Sequence, residues 1–368
     1  MDERALAEEL IAYDTSRGEG VRLAAGFVVD WLEAREIETR QLAVRDLPII
    51  VAEVGPKDAP ATVVLHGHLD VVPGRPEQFT PRVEGDRLIG RGAYDMKGAL
   101  AVMLLLVHEL RDQDSVRVLL GVVPDEESEE EIDRGSDRLV QNGVIGDFAI
   151  TGEPTDLHIG VQAKGVLALR IEVAGRAAHG ATPWLGDNAV LKALGVFRSI
   201  ESLPFARQSS DLFDRPSINL GRIWGGDALN KVPDTCVIDV DIRYLPEQDP
   251  EAIAAAVEAI PDSTIVSRFT RPPAVVDRDS VFVRALSEAA APHHSDEPLS
   301  VGRDGASDAV SFLAAGVPAV EFGPIGADHH GPEEWVSLPS LASYRRALAD
   351  FIAGLPARMR ERGGPDGA

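Results

Sequence analysis

The chain is poor in cysteine: among 368 residues only Cys236 carries a thiol. One thiol excludes an intramolecular disulfide and any thiolate-built zinc cluster, and Cys236 reads as a core residue. Positive charge is also scarce. Sixty acidic residues face 36 basic ones, mostly arginine, for a formal net charge of −24. That balance argues against nucleic acid or an anionic membrane surface as a partner, since both need a basic patch. The acidity itself reads as a solvated surface. No apolar run reaches the roughly 18–20 residues of a membrane span. Met1-Asp2-Glu3-Arg4 lacks the basic and apolar stretches of a secretion signal, so a cytoplasmic protein is expected. Internal repeats are absent, as are the Gly-x-x-x-x-Gly-Lys-Ser/Thr phosphate loop and the His-Glu-x-x-His zinc helix. The one His-Glu pair, His108-Glu109, has no second histidine.

The apolar fraction of 44% marks a globular protein, and the length calls for one large domain or two. Helical spacing of apolar residues recurs in Leu6–Ala12, Val21–Ala34, Gly98–Leu110, Asp187–Ile200, Val281–Ala291 and Leu338–Leu355. Strand-like runs alternate with them at Ile49–Val54, Thr62–His66, Val116–Val123, Asp147–Ile150 and Ala319–Phe322. Such alternation predicts an α/β layer structure. The middle differs. Alternating strands at Val166–Val173, Ser217–Ile223 and Thr235–Arg243, with helices at Asp187–Ser202 and Pro250–Ala259, give β-α-β-β-α-β order up to about Phe269. That is the order of a ferredoxin-like sandwich, with Arg271-Pro272-Pro273 as its exit. An α/β domain of residues 1–165 and 274–368 is thus expected to be interrupted by a small inserted domain, 166–273. The charged, Gly-rich tail after Pro356 is expected to fray.

Chemistry-bearing residues gather just past the strands. Glu126 and Glu127 follow Val116–Val123, and two adjacent carboxylates are costly unless a cation or a shared task offsets their repulsion. Glu129-Glu130-Glu131 reads as a solvated acidic loop. His68 and Asp70 follow the strand ending at His66, where open α/β sheets place ligands; His66 itself reads as a packed residue. A neutral imidazole suits zinc, and a nearby carboxylate can fix its tautomer. Asp95 lies in the Gly-rich turn Gly90–Gly98, where it could cap the following helix or bridge two cations. Glu153 follows Asp147–Ile150, and Asp328-His329-His330 through Glu334 follows Ala319–Phe322. Each cluster alone is ambiguous. Together, carboxylates and imidazoles without a thiol suit zinc, cobalt or manganese in an open catalytic site.

These motifs resemble the co-catalytic zinc amidohydrolases that include acetylornithine deacetylase, succinyl-diaminopimelate desuccinylase, aminoacylase and glutamate carboxypeptidase. The resemblance spans nearly the whole chain. It rests on Gly67-His68-Leu69-Asp70-Val71-Val72-Pro73, Gly90-Arg91-Gly92-Ala93-Tyr94-Asp95-Met96-Lys97-Gly98, Asp125-Glu126-Glu127, Gly152-Glu153-Pro154-Thr155 and His330-Gly331-Pro332-Glu333-Glu334. It implies a zinc-peptidase-like mixed-sheet catalytic domain with an inserted ferredoxin-like lid and dimerisation domain. Two divalent ions, Zn²⁺ with Co²⁺ or Mn²⁺ as alternatives, would be held by Asp95 as bridge, by His68 and Glu153, and by Glu127 and His330. The spacing to Glu334 favours His330 over His329. Asp70 would orient His68, Glu126 would be the general base acting on a metal-bridging water, and the peptide bond after Asp95 would be cis.

In the inserted domain the same resemblance assigns His179, in Ala178-His179-Gly180, to the oxyanion, supplied in known members across a dimer interface. It assigns Asn230 and Arg243 to the substrate carboxylate, and Ser307 to substrate binding. Thr182 and Gly326 stand where the desuccinylase pattern has Tyr and Asn, and Ser307-Asp308 replaces Thr-Asp. The Asn219–Asn230 stretch lies closest to acetylornithine deacetylase. The implied activity is hydrolysis of an N-acyl amino acid by a homodimer. A dipeptidase or carboxypeptidase on the same site is the alternative. A non-catalytic binding protein on this scaffold would require a lost ligand or base, and none is missing.

Overall fold

In the computed structural model, residues 2–128, 133–293 and 300–362 are described; the acidic run Glu129-Glu130-Glu131 lies outside them. The chain divides into two compact units. The first comprises Met1–Val161, Val276–Val301 and Asp308–Ala368; the second comprises Gln162–Val275 and Gly302–Ser307.

The first unit opens with helices α1 (Glu3–Ile11) and α2 (Gly18–Glu33). Asp2 caps α1, its carboxylate accepting the Ala5 N–H at 2.9 Å. Strands β1 (Thr39–Val44), β2 (Leu47–Val54) and β3 (Thr62–His68) follow, then the short β4 (Arg82–Glu84) and β5 (Arg87–Ile89). Helix α3 (Gly98–Glu109), β6 (Arg117–Val123), α4 (Gly135–Gln141), β7 (Phe148–Thr151) and β8 (Ile159–Ala163) complete this stretch. β1 escaped the sequence reading because it is an edge strand, mostly exposed, with no apolar alternation. α3 is apolar all round and buried from Gly98 to Val107, packed against α1 and the C-terminal helix Leu338–Arg362.

The second unit contains β9 (Gly165–Ala174), α5 (Ala189–Glu201), β10 (Ser217–Gly225), β11 (Thr235–Tyr244), α6 (Pro250–Glu258), β12 (Ser263–Arg271) and β13 (Ala274–Val275). Its sheet runs β10-β11-β9-β12, all antiparallel. With two helices in β-α-β-β-α-β order, this is the ferredoxin-like arrangement. Inward residues of β9 and β11 alternate with outward ones, and Leu167, Leu169, Ile171, Val173, Ile238 and Val240 form its core with α5 and α6. Cys236 is buried in that same core.

The chain returns through α7 (Val281–Ala290), β14 (Ser300–Arg303), α8 (Ala309–Ala314), β15 (Ala319–Phe322), β16 (Gly326–Ala327), β17 (Trp335–Ser337) and α9 (Leu338–Arg362). α9 corrects one expectation. The helix does not stop at Leu355 but continues past Pro356 to Arg362. Proline forfeits one backbone hydrogen bond, and here the buried neighbours Leu355 and Pro356 keep the helix packed across that point. Residues 363–368 lie outside the described ones.

Sheet order in the first unit is β1-β2-β6-β3-β7-β15-β8, and β6, β3, β7 and β15 are mutually parallel. Their carboxyl ends therefore share one edge. His68 ends β3, Glu126 and Glu127 follow β6, and Glu153 follows β7. A second sheet, β16-β17-β5-β4, pairs Trp335 with Ile89 and brings the turn after β5 beside the segment before β17. Asp95 and His330 lie in those two segments.

Candidate metal centre and active site

Asp95 joins two groups of potential ligands. Its Oδ1 lies 3.2 Å from His68 Nε2, and its Oδ2 lies 3.5 Å from His330 Nε2. Glu153 Oε1 stands 4.0 Å from His68 Nε2, and Glu127 Oε1 stands 2.8 Å from His330 Nε2. In each of the sets His68-Asp95-Glu153 and Asp95-Glu127-His330, one ligand atom per residue lies within 4.8 Å of the others. One carboxylate thus faces both sets, one oxygen to each.

The local structure fixes these side chains. His68 Nδ1 lies 2.9 Å from the carbonyl oxygen of Asp70. A carbonyl only accepts, so Nδ1 carries a proton, and Nε2, turned toward Asp95 and Glu153, is the nitrogen that would ligate a cation once it gives up its own. The Nδ1–H ring is then the tautomer a metal ligand requires. The Asp70 carboxylate does something else. It accepts the backbone N–H groups of Glu126 at 3.0 Å and Glu127 at 2.7 Å, while its Oδ1 stays 3.6 Å from His68 Nδ1. Asp70 therefore holds the histidine through its backbone and the glutamate pair through its side chain.

Asp95 is set by a buried ion pair. Glu334 accepts from the Gly92, Tyr94 and Asp95 N–H groups, each at 3.0 Å, and from Arg91 Nη1 at 2.7 Å. Arg91 Nη2 in turn donates to the His330 carbonyl at 3.1 Å. Gly92 adopts φ 80°, and a Cβ there would meet Val71 Cγ1 at 2.7 Å, so the turn needs glycine. The Asp95-Met96 peptide bond is cis. Thr151 Oγ1 donates to Glu153 Oε1 at 3.2 Å. His329 stacks edge-on with Tyr94 and His330 and belongs to neither ligand set.

Behind Glu126 lies a second buried cluster that sequence reasoning missed. Arg134 Nη2 donates to the Glu126 carbonyl at 2.7 Å and lies 3.7 Å from Glu126 Oε1 and 3.5 Å from Asp308 Oδ1. His66 Nε2 lies 3.7 Å from Asp308 Oδ2. Asp125, also buried, accepts from the Gly135 N–H and pairs with Arg45 at 2.9 Å. Arg134 follows an acidic run and carries no motif, so only the fold reveals it.

The electrostatics are those of crowded, buried acids. Burial, with Asp308 adding to it against His68 and Arg134, pushes the Glu126 carboxyl up to about 8. Burial likewise lifts Asp70 to about 6 and holds Glu153 well above its ordinary value. For Asp95, burial works upward, but the hydrogen bonds with His330 and His68 win and hold it well below. Bonds to Asp95 and Glu127 raise His330 to about 10. Burial lowers His68, yet Asp95, Glu153 and Asp70 outweigh it and keep the ring well above its usual range. Three carboxylates and two imidazoles, thiol-free and mutually repelling among the acids, match the hard donor set of divalent cations.

The second unit carries the remaining sequence candidates. Ala181 N–H donates to His179 Nδ1 at 3.1 Å, so the neutral ring keeps its proton on Nε2. Asn230 sits beside it, its carbonyl accepting the Gly180 N–H at 2.6 Å. Arg243 is at the far end of β11, its Nε paired with Asp241 at 3.0 Å. Eight strand residues at about 3.3 Å each put Thr235 and Arg243 roughly 26 Å apart. Asn230 lies in the loop that joins β10 and β11 past the Gly225–Cys236 pair, whereas Arg243 pairs with Ser217 at the other end of that hairpin. Ser307 is buried, and its carbonyl accepts from Arg271 at 3.3 Å.

A mixed-sheet unit with two candidate ligand sets sharing one aspartate at the strand ends, in a chain that also carries a ferredoxin-like unit, has the make-up of a metallohydrolase. The chain belongs to the peptidase family M20/M25/M40, whose profile matches residues 64–354. It is similar to an acetylornithine deacetylase of Myxococcus xanthus, at 29% identity over 95% of this chain and 98% of that protein. A succinyl-diaminopimelate desuccinylase of Gluconobacter oxydans is also 29% identical, over 83% of this chain and 84% of its own. Among solved structures, a Staphylococcus aureus tripeptidase matches with TM-score 0.79 at 18% identity, covering 98% of this chain and 99% of that one. Another, a dinuclear metal-binding peptidase of the M20 family from Bacillus subtilis, matches with TM-score 0.64 at 17% identity over 96% and 99%.

Proposed function

We propose that this enzyme removes the acyl group from an N-acyl amino acid, with Glu126 as general base. The carrying observation is Asp95, whose two oxygens face the two ligand sets, beside a half-buried glutamate, Glu126, that is not a member of either. In this reading His68, Asp95, Glu153, Glu127 and His330 hold two divalent ions, with Zn²⁺ the first choice and Co²⁺ or Mn²⁺ alternatives. Bound there, such ions polarise an amide carbonyl and lower the pKa of water. Glu126 takes the proton of the attacking water and delivers it to the leaving amine. A carboxyl raised to about 8 suits that exchange, because it gains and loses a proton near neutral pH. His179, with its proton on Nε2, is a donor for the oxyanion; Asn230, Arg243 and Ser307 contact the substrate.

The deacylase reading leans on the curated relatives, which are named for deacetylation and desuccinylation. A dipeptidase is the second reading, favoured by solved structures named as di- and tripeptidases. A homodimer through the second unit is part of the proposal. The separation of Asn230 from Arg243 within one copy calls for a second copy if both are to reach one substrate. The unit also exposes Trp184, Leu185, Leu191, Leu194, Trp224 and Leu229, and β10 is an edge strand. A cytoplasmic location is proposed; no helix among the described residues is long and apolar enough to cross a membrane.

The test is a hydrolysis panel with N-acetylornithine, N-succinyl-diaminopimelate, simple N-acetyl amino acids and dipeptides, with and without chelator. Glu126→Gln should abolish turnover, by roughly 10²–10⁴ for a lost general base, with metal content unchanged. Full activity in Glu126→Gln, or turnover of dipeptides alone, would overturn the assignment.

A further inference from the structure

We propose that Arg134 is a positioning residue for the Glu126 carboxylate, itself held in place by buried Asp308. The inference rests on the reading of Glu126 as base and adds the device that aims it. The Arg134 side chain is only 11% exposed and that of Asp308 1%. A guanidinium is rarely buried without acceptors that fix it. Here Nη2 meets three oxygens: the Glu126 carbonyl, Glu126 Oε1 and Asp308 Oδ1.

A hydrogen bond to the carbonyl restricts the backbone of Glu126, and the same guanidinium, 3.7 Å from Oε1, biases its carboxylate electrostatically. Asp70 fixes the same peptide from the other side through the Glu126 N–H. Glu126 is therefore hydrogen-bonded at its N–H and its carbonyl, and one carboxylate oxygen faces the guanidinium at ion-pair distance, 3.7 Å. The anchors are themselves buried. Asp308 begins α8 and has His66 of β3 at 3.7 Å, and Arg134 is the cap residue of α4, whose first N–H is held by Asp125. Asp125, just before Glu126, and Arg134 are each tied to the N-terminal end of α4. A purely structural Arg134 would hold α4 and α8 together without touching the base, and the two roles separate experimentally.

The experiment uses full-length Arg134→Met, Arg134→Lys and Asp308→Asn, with Glu126→Gln as reference. Turnover is read on the best amide substrate of the panel, and Zn²⁺ binding on chelator-treated protein by calorimetric titration. Arg134→Met should lower kcat about 10–100-fold with KM within about threefold, as for lost support of a reacting group. Zn²⁺ stoichiometry and affinity should match wild type, and Arg134→Lys should restore part of kcat. Asp308→Asn should give the same split at smaller size. If Arg134→Met is too unstable to assay, Arg134→Ala with added guanidinium replaces it, and recovery of kcat supports the assignment. Unchanged kcat in Arg134→Met, or a kcat loss that follows lost Zn²⁺ affinity, would overturn it. Should Glu126→Gln stay fully active, the functional reading fails instead, whatever Arg134 does.

Discussion

Glu334 offers the sharpest test of how the metal centre is held. Its carboxylate is 1% exposed and accepts four hydrogen bonds, three from backbone N–H groups and one from Arg91. Glu334→Ala would leave the buried Arg91 guanidinium without its carboxylate and orphan three N–H groups in one turn. Breaking a buried ion pair from one side costs about 3–5 kcal/mol. Each unsatisfied N–H adds about 1–3 kcal/mol before relaxation, and entering water relieves part of that sum. The net expectation is a loss of about 4–6 kcal/mol. Glu334→Gln keeps an acceptor oxygen and should lose roughly half as much. Urea denaturation in chelator measures this directly, with metal excluded from the comparison. A second readout is Zn²⁺ affinity, since the same pair fixes the Asp95 N–H and the His330 carbonyl. Loss of such support typically costs 10–100-fold in metal affinity or activity. An Ala variant with an unchanged urea midpoint in chelator would refute the assignment of Glu334 and Arg91 as the clamp on Asp95.

Two further outcomes follow from the same geometry. Chelator-treated protein should lose stability as pH rises from about 5 to 7. Asp70 and Glu126 have folded pKa values raised to about 6 and 8 by burial, so ionising them disfavours the fold. Their contribution to stability is greatest below the unfolded carboxyl value of ~4.3 and is lost as pH climbs from there to the folded values. The histidines add nothing to the slope below ~6.5, and Lys97, lowered to about 7 by burial, contributes only above that. A flat urea midpoint over this range in chelator would contradict the crowding. Gly92→Ala should destabilise by about 1–3 kcal/mol, because the residue holds φ 80° against Val71. Thermal unfolding reads that loss, and a wild-type midpoint would remove the steric case for glycine.

The strands and their ends were legible in the sequence because each parallel strand is a continuous apolar run that stops where a ligand-type residue begins. Thr62–His66 and Val116–Val123 show this directly, and so His68, Glu126 and Glu127 stood out. The ferredoxin-like order was legible from the clean alternation of Val166–Val173 and Thr235–Arg243. β1 was not, since an exposed edge strand carries no period. The extent of α9 was not either, because the local signal of Pro356 was overridden by packing.

Composition and motif spacing alone thus determined the layer architecture, the inserted unit and the residue types fit to hold two cations. Only the tertiary structure decided how those residues divide their work. It placed one oxygen of Asp95 toward each set, and it gave the Asp70 carbonyl to His68 but its carboxylate to the glutamate pair. It also set Arg134 and Asp308 behind Glu126. The physical reason is that a hydrogen bond depends on direction and on a few tenths of an ångström, and residues such as Asp70 and Glu127, 57 positions apart, acquire that geometry only when the sheet brings their loops together.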